Sequence, residues 1–171
     1  LYSDQEFVYV GDAGIVEPGG RSKRKGVDLS LRYQFCNWLW SDLDMNLTRA
    51  RATGVRKGED YIPLAPDFTS TGGLTAKTKK GFSAALRYRF IDDRPANEDN
   101  SIKALGYFLT DLRAEMKIKS VELFISIENI LNRKWNEAQF ATTSRLANET
   151  MPVTELHFTP GTPRYFKTGL S

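Results

Sequence analysis

The chain has 171 residues, 40% hydrophobic and 26% charged, with 24 Lys+Arg against 21 Asp+Glu and a formal charge of +3. That length suits one domain, the composition is not that of a disordered chain, and the charge excess is too small to argue for nucleic acid as a partner. Mean hydropathy is −0.43, and no apolar run approaches the roughly 18 residues of a membrane-spanning helix, which excludes a helical membrane protein but not a membrane barrel, whose strands are apolar on one side only.

In chain order, Glu6 to Val16 reads as a first, weak strand, followed by a loop over Glu17 to Lys25 with Pro18, Gly19 and Gly20. Its basic cluster, Arg21 to Lys25, reads as a solvated loop. Strict alternation then begins. Val27, Leu29, Leu31, Tyr33 and Phe35 oppose Asp28, Ser30, Arg32 and Gln34. Leu39, Leu43, Met45 and Leu47 oppose Asp42, Asp44, Asn46 and Thr48. Asp67 to Lys79 is a weaker strand rich in Thr and Gly. Phe82, Ala84, Leu86, Tyr88 and Phe90 oppose Ser83, Ala85, Arg87 and Arg89. Phe108, Leu112, Ala114, Met116 and Ile118 oppose Asp111, Arg113, Glu115 and Lys117. Val121, Leu123, Ile125 and Ile127 oppose Glu122, Ser126 and Glu128, and Arg164 to Ser171 is a last strand. Period two places the two sets on opposite faces of a strand. About eight antiparallel strands result, with a single turn of helix at most, over Asn129 to Trp135.

The connections alternate in length. Residues 36–38, 79–81 and 119–120 are tight turns; residues 54–66, 92–104 and 130–162 are long and polar, and residues 17–25 join them by parity. Short turns at one end and long loops at the other are the pattern of outer-membrane barrels. Strands of about ten to fourteen residues exceed the usual globular length and suit a tilted crossing of a bilayer. Tyr33, Phe35, Trp38, Trp40, Tyr88 and Phe90 gather near strand ends, where amphipathic rings favour the headgroup layer. The apolar face is therefore expected to meet lipid, through Leu29, Leu31, Leu43, Leu47, Leu86, Leu112, Leu123 and Ile125, and the charged face a watery or plugged lumen.

One cysteine, Cys36, and one histidine, His157, leave no internal disulfide and no Cys- or His-rich metal centre. No Ser/His/Asp set is present, and Gly11-Asp12-Ala13-Gly14 is too sparse to cradle a nucleotide and reads as a strand end with a bend. No catalytic, cofactor or metal residue is assigned. Asp92-Asp93 and Glu98-Asp99 read as solvated loop rather than a cation site.

Specific segments resemble those of TonB-dependent outer-membrane receptors. Gly26-Val27-Asp28-Leu29-Ser30-Leu31 is similar to the family's "R-G-hydrophobic-E-hydrophobic-E" strand, with Asp28 and Ser30 in place of the usual acids. Tyr61-Ile62-Pro63-Leu64-Ala65-Pro66 resembles "I-P-x-A-P", and Phe90 to Ser101, with Arg94, the surface loop that follows. Leu109 to Ala114 resembles "x-L-D-L-x-A". Ile127-Glu128-Asn129-Ile130-Leu131-Asn132-Arg133-Lys134-Trp135 is similar to "V-x-N-L-L-N-x-x-Y", the most specific of the set. Pro160-Gly161-Thr162-Pro163-Arg164-Tyr165-Phe166 resembles "P-G-x-P-R-x-[FY]". These segments cover nearly the whole chain in the family's order.

The resemblance implies an all-β fold of antiparallel transmembrane barrel strands, with residues 1–171 the C-terminal part of a barrel of about 22 strands. The plug domain, the N-terminal strands and the family's terminal aromatic residue are then expected to lie outside this chain. It implies an importer, not an enzyme, in the outer membrane of a Gram-negative bacterium, taking up ferric siderophores or similarly large nutrients. Its partners would be outer-membrane lipid, the ligand, and the TonB complex acting through the plug. Ligand contacts would come from the long loops, with Trp135, Phe140, Arg145 and His157 as candidates; an anionic siderophore would favour Arg21 to Lys25. A stand-alone eight-stranded barrel with a structural or adhesive role is the alternative, and a soluble ligand-binding calyx a third.

Overall fold

In the computed structural model, which describes residues 1–5, 7–10 and 15–170, every regular element is a strand. In chain order they are β1 (Tyr2–Ser3), β2 (Phe7–Val10), β3 (Ile15–Pro18), β4 (Ser22–Cys36), β5 (Leu39–Ala52), β6 (Phe68–Lys77), β7 (Phe82–Ile91), β8 (Arg94–Pro95), β9 (Lys103–Ala104), β10 (Tyr107–Ile118), β11 (Val121–Glu128), β12 (Asn136–Ser144), β13 (Val153–Pro160) and β14 (Tyr165–Leu170). Eight of them form one antiparallel sheet in the order β1-β4-β5-β6-β7-β10-β11-β14; β2–β3, β8–β9 and β12–β13 are separate two-stranded hairpins.

Those hairpins sit inside the long connections. Short turns join β4 to β5, β6 to β7 and β10 to β11, whereas β1 to β4, β5 to β6, β7 to β10 and β11 to β14 are joined by long segments. All long segments therefore leave the same end of the sheet. The expected count of eight strands is reached with one change of membership. Glu6 to Val16 is not a strand of the sheet: its described residues belong to the β2–β3 hairpin, and Tyr2–Ser3 supplies the edge instead. The Gly11–Gly14 segment lies outside the described residues. Asn129 to Trp135 is a turn and irregular chain, not helix. Of the basic cluster only Arg21 lies in the loop, because β4 begins at Ser22.

Apart from a shift between Gln34 and Cys36 at the β4–β5 turn, the register carries the alternation from strand to strand in one phase. Val27 pairs with Leu47, and Leu47 with Phe68. Leu74 pairs with Leu86, Leu86 with Leu112, Leu112 with Ile127, and Ile127 with Phe166. Leu29, Leu31, Leu43, Leu47, Leu86, Leu112, Leu123 and Ile125 thus all lie on one face. Large apolar side chains on it stand open, Val27 at 67% and Leu47 at 59% exposure. A contiguous apolar surface of this kind marks contact with another apolar phase. From Val27 to Phe35 the column runs roughly 26 Å along the strand at about 3.3 Å per residue, which matches an apolar band about 25 Å tall.

The opposite face is ionic. Arg32 pairs with Asp44 at 2.8 Å and Arg89 with Asp111 at 3.1 Å; Arg87 pairs with Asp42, Arg113 with Glu115, and Lys167 with Glu128. Arg113 also lies over the Phe124 ring at 4.6 Å. Solvated pairs of this kind add little net stability, so they define the character of the face more than its stability.

The adjacent glycines of β6 serve both faces. Gly72 is paired with Tyr88, and a Cβ there would stand 3.1 Å from the Tyr88 ring; the ring reaches across so that its hydroxyl and that of Ser70 lie 2.8 Å apart. Gly73, on the other face, is paired with Arg87, and a Cβ there would stand 2.8 Å from the Arg87 side chain, which crosses β6 to Asp42 on β5.

The sheet is not closed on itself. Among the described residues β14 pairs only with β11, and β1 covers only Ser22 and Lys23 of β4 by strand pairing, leaving most of the 15-residue β4 with a free edge. A free-standing eight-stranded barrel would require β14 to pair with that edge.

The face assignment has a direct consequence. In the protein folded into lipid vesicles, Leu86→Arg should lower unfolding stability by about 2–4 kcal/mol, the cost of a cation at the lipid midplane. Thr71→Lys, on the ionic face of β6, should stay within about 0.5 kcal/mol of wild type. Equal losses in the two variants would contradict the assignment.

Candidate functional site

The long-loop end is where the chain packs most tightly. The buried apolar residues are Ala50, Ile62, Ala96, Ala104 and Leu109, and the buried polar ones include Arg94, Asn129, Gln139 and Thr142. Apart from Ala50 and Leu109, near strand ends, all belong to the connections or their hairpins.

Hydrogen bonds knit those connections together. The 53–67 loop donates from Tyr61 N–H to Glu98 O at 3.1 Å and from Leu64 N–H to Pro95 O at 2.7 Å, so it rests on the β8–β9 segment. That segment is held to the β12–β13 hairpin by Gln139, which is 1% exposed: Oε1 accepts from Leu105 N–H at 2.8 Å and Nε2 donates to Leu105 O at 2.7 Å. A primary amide mimics a strand residue here, satisfying both backbone groups of Leu105. The acids of the 92–104 segment are used locally: Asp93 accepts from Gly106 N–H at 2.7 Å, and Asp99 from Ser101 N–H and Oγ. The bonds from the Ser101 backbone, and then its hydroxyl, hold the Asp99 carboxyl below its ordinary value. Burial pushes the Arg94 guanidinium down from its ordinary value, and its Nη1 has no hydrogen-bond partner.

The link from β11 to the last connection depends on two asparagines. Asn129 and Asn132 both have φ of 50°, the left-handed region that Asn tolerates better than most residues. They close a turn, Asn132 N–H donating to Asn129 O at 2.8 Å. Asn129 Oδ1 accepts from Arg133 N–H at 2.9 Å, while its Nδ2 donates to Arg133 O at 2.8 Å and Thr162 O at 3.2 Å. Asn132 Oδ1 accepts from Arg164 N–H at 3.1 Å. The N-x-x-N spacing thus ties the end of β11 to the lead-in of β14.

Trp135, Phe140, Arg145 and His157 fall in this layer but not at one point. Phe140 and His157 are cross-strand partners in the β12–β13 hairpin, and His157 Nε2 lies 3.2 Å from Ser144 Oγ and 3.6 Å from Glu155. Arg145 is exposed just beyond β12, at the far end of the hairpin. Trp135 is at its base and has structural work: its Nε1 donates to Thr162 O at 3.0 Å, its ring meets Tyr107 edge-on at 4.9 Å, and it lies against Gly161, where any Cβ would collide with it. A cleft of about 540 Å³ opens beside it, lined by Leu105, Arg133, Lys134, Trp135, Phe158 and Pro160 among others. Gln139 has no signal in the sequence because β12, NEAQFATTS, shows no period-two alternation of apolar and polar residues.

A family model described as TonB dependent receptor-like, beta-barrel, matches residues 3–130. A comparison with curated proteins found no match. Among solved structures, the siderophore receptor PiuA from Acinetobacter baumannii is similar at a TM-score of 0.69 and 16% identity, over 99% of this chain and 24% of that one. The ferric yersiniabactin uptake receptor FyuA from Yersinia pestis gives 0.67 and 15%, over 91% and 24%, and the copper transporter OprC 0.66 and 16%, over 97% and 26%. At these identities the likeness is one of fold, and the chain spans about a quarter of the length of each.

Gln139→Leu should detach the β12–β13 hairpin from the 92–106 segment. The Leu105 N–H and C=O lose their partners, two hydrogen bonds that together favour local opening by about 1–3 kcal/mol. Hydrogen exchange at the Leu105 amide should accelerate by roughly tenfold or more, with the β10 and β11 amides unchanged. An unaltered Leu105 rate would show that Gln139 does not hold the two loops together.

Proposed function

The chain belongs to the TonB-dependent receptor β-barrel family, and from that premise we propose that it is the C-terminal part of a barrel of about 22 strands that imports a large nutrient across the outer membrane. The observation that carries this reading is the division of one open sheet into an outward apolar face, an inward ionic face and a single layer of loops at one end. The free edges of β4 and β14 are where the remaining strands of the barrel would pair. They favour the larger barrel over a free-standing eight-stranded one.

In this reading the loop layer faces the cell exterior, the ionic face lines a lumen occupied by a plug, and import is energised by the TonB complex acting on that plug. The substrate in this reading is a ferric siderophore or a similarly large nutrient, PiuA being described as a siderophore receptor and FyuA as a ferric yersiniabactin uptake receptor. Phe140, His157 and Arg145 are proposed as ligand contacts on the hairpin, offering a ring, an imidazole and a cation. Trp135 shapes the cleft at its base rather than reaching outward.

Deletion of the gene should abolish uptake of one ferric siderophore under iron limitation, and the intact gene should restore it. Unchanged uptake of every ferric siderophore tested would remove the assignment. In the restored strain, Phe140→Ala with His157→Ala should weaken ligand binding roughly tenfold or more, as truncation of an interface anchor does, with the receptor present at wild-type level in outer membranes. Wild-type affinity in that variant would take the ligand site off the β12–β13 hairpin.

A further inference from the structure

The apolar columns of β4 and β5 continue upward into charge. Above the Val27–Leu47 pair, the same face carries Lys25 opposite Arg49, then Lys23 opposite Arg51, and no irregularity interrupts the ladder between Ser22 and Gln34. Two like-charge pairs thus stand directly across the ladder from one another, an arrangement that destabilises a sheet unless something compensates.

The upper pair is compensated within the chain. Arg51 lies 4.1 Å from the centre of the Tyr61 ring and 3.8 Å from Asp60, and Lys23 lies 5.0 Å from the centre of the Tyr2 ring. Among the described residues the lower pair has no such compensation. Lys25 and Arg49 are both exposed, and neither has a carboxylate among the described residues within ion-pair distance. This uncompensated pair is the one that borders the exposed apolar band, one residue pair above Val27 and Leu47. The face behind it is different, its arginines meeting acids at Asp42, Asp44 and Asp111.

We propose that Lys25 and Arg49, with Lys23 above them, form a docking surface for the phosphate-bearing headgroup of an outer-leaflet glycolipid, whose acyl chains lie along Val27, Leu29 and Leu47. The position selects this occupant. A solute in the lumen is on the wrong side of the sheet, and a free anion would gain nothing from the apolar columns below. A lipid phosphate supplies the missing counter-charge at the height where chains give way to headgroups. The cluster Arg21 to Lys25 is therefore divided by the pleat, Lys23 and Lys25 facing outward and Arg24 the lumen side. The inference rests on the lipid-facing reading of the apolar face.

The test uses the full-length receptor in phosphatidylethanolamine vesicles titrated with lipopolysaccharide, reading glycolipid retained per receptor after extraction. Lys25→Gln with Arg49→Gln should raise the half-saturating concentration on the order of 30-fold, the change expected on removing two cations from an anionic headgroup layer. Lys25→Arg with Arg49→Lys should behave as wild type, dephosphorylated glycolipid should abolish the difference, and excess inorganic phosphate should not compete. Equal retention by the wild type and the glutamine variant, or displacement by inorganic phosphate, would overturn the docking surface. A heat-dependent electrophoretic shift reports folding. If the double glutamine variant lacks it, Arg49→Gln alone and the phosphorylated against dephosphorylated comparison on wild type decide. Wild-type receptor that never shows the shift in lipid would sink the lipid-facing reading itself, a result distinct from folded receptor with indifferent retention.

Discussion

In a bilayer no backbone N–H or C=O can be left to the solvent, so a spanning strand must spend its whole edge on a neighbour. Between β4 and β14 every inner edge meets that requirement through a ladder that keeps one phase, apart from a shift between Gln34 and Cys36 at the β4–β5 turn. The two faces of the sheet follow from it. Because side chains alternate with period two, a slip of one residue in any strand would carry its leucines to the ionic side and its arginines into lipid. Leu86, between Leu74 and Leu112, and Arg87, reaching Asp42, are adjacent residues under opposite demands that one register satisfies together.

Gly72 and Gly73 show how finely the two faces are joined. Neighbours in a strand must point to opposite sides, so a pair of glycines opens both surfaces of β6 at the same level. Tyr88 uses the opening on the apolar side to bring its hydroxyl to Ser70, which matters where no water is available to the phenol. Arg87 uses the other to span two strand spacings to Asp42. A dipeptide that lowers strand propensity thus ties β5, β6 and β7 together through side chains.

The parts of this architecture that obey a two-residue period were legible in the sequence. All eight side chains expected on the lipid face lie on one face, and every tight turn was placed between the right strands, because burial on one side writes apolar residues at every second position. Legibility failed where no such asymmetry exists. The β12–β13 hairpin mixes apolar and polar residues on both sides, so 130–162 read as loop, and the basic residues of 23–25 read as solvated because lysine and arginine carry no strand signature. Of the four candidate contact residues, Phe140 and His157 share a rung, but spacing could not show it: their pairing depends on a register set by the chain between them. Trp135 stood out as an aromatic in a loop, and what it meets, Gly161, Thr162 and Tyr107, lies about 26 residues away on either side.

The two ends of the wall are held by different physics. The loop layer is joined by uncharged hydrogen bonds: Tyr61 to Glu98 and Leu64 to Pro95 through the backbone, Leu105 to Gln139 through an amide, and the asparagine turn to Thr162. Such bonds are indifferent to ionic strength. The ionic face is held by solvated Arg–carboxylate pairs, which salt screens and a competing charged group can exchange. In the proposed reading this division suits an exterior that meets changing salt and a lumen wall that trades partners with a charged surface inside it. The rigid surface is built of neutral contacts at Gln139 and Asn129, and the exchangeable one of Arg32, Arg87, Arg89 and their acids.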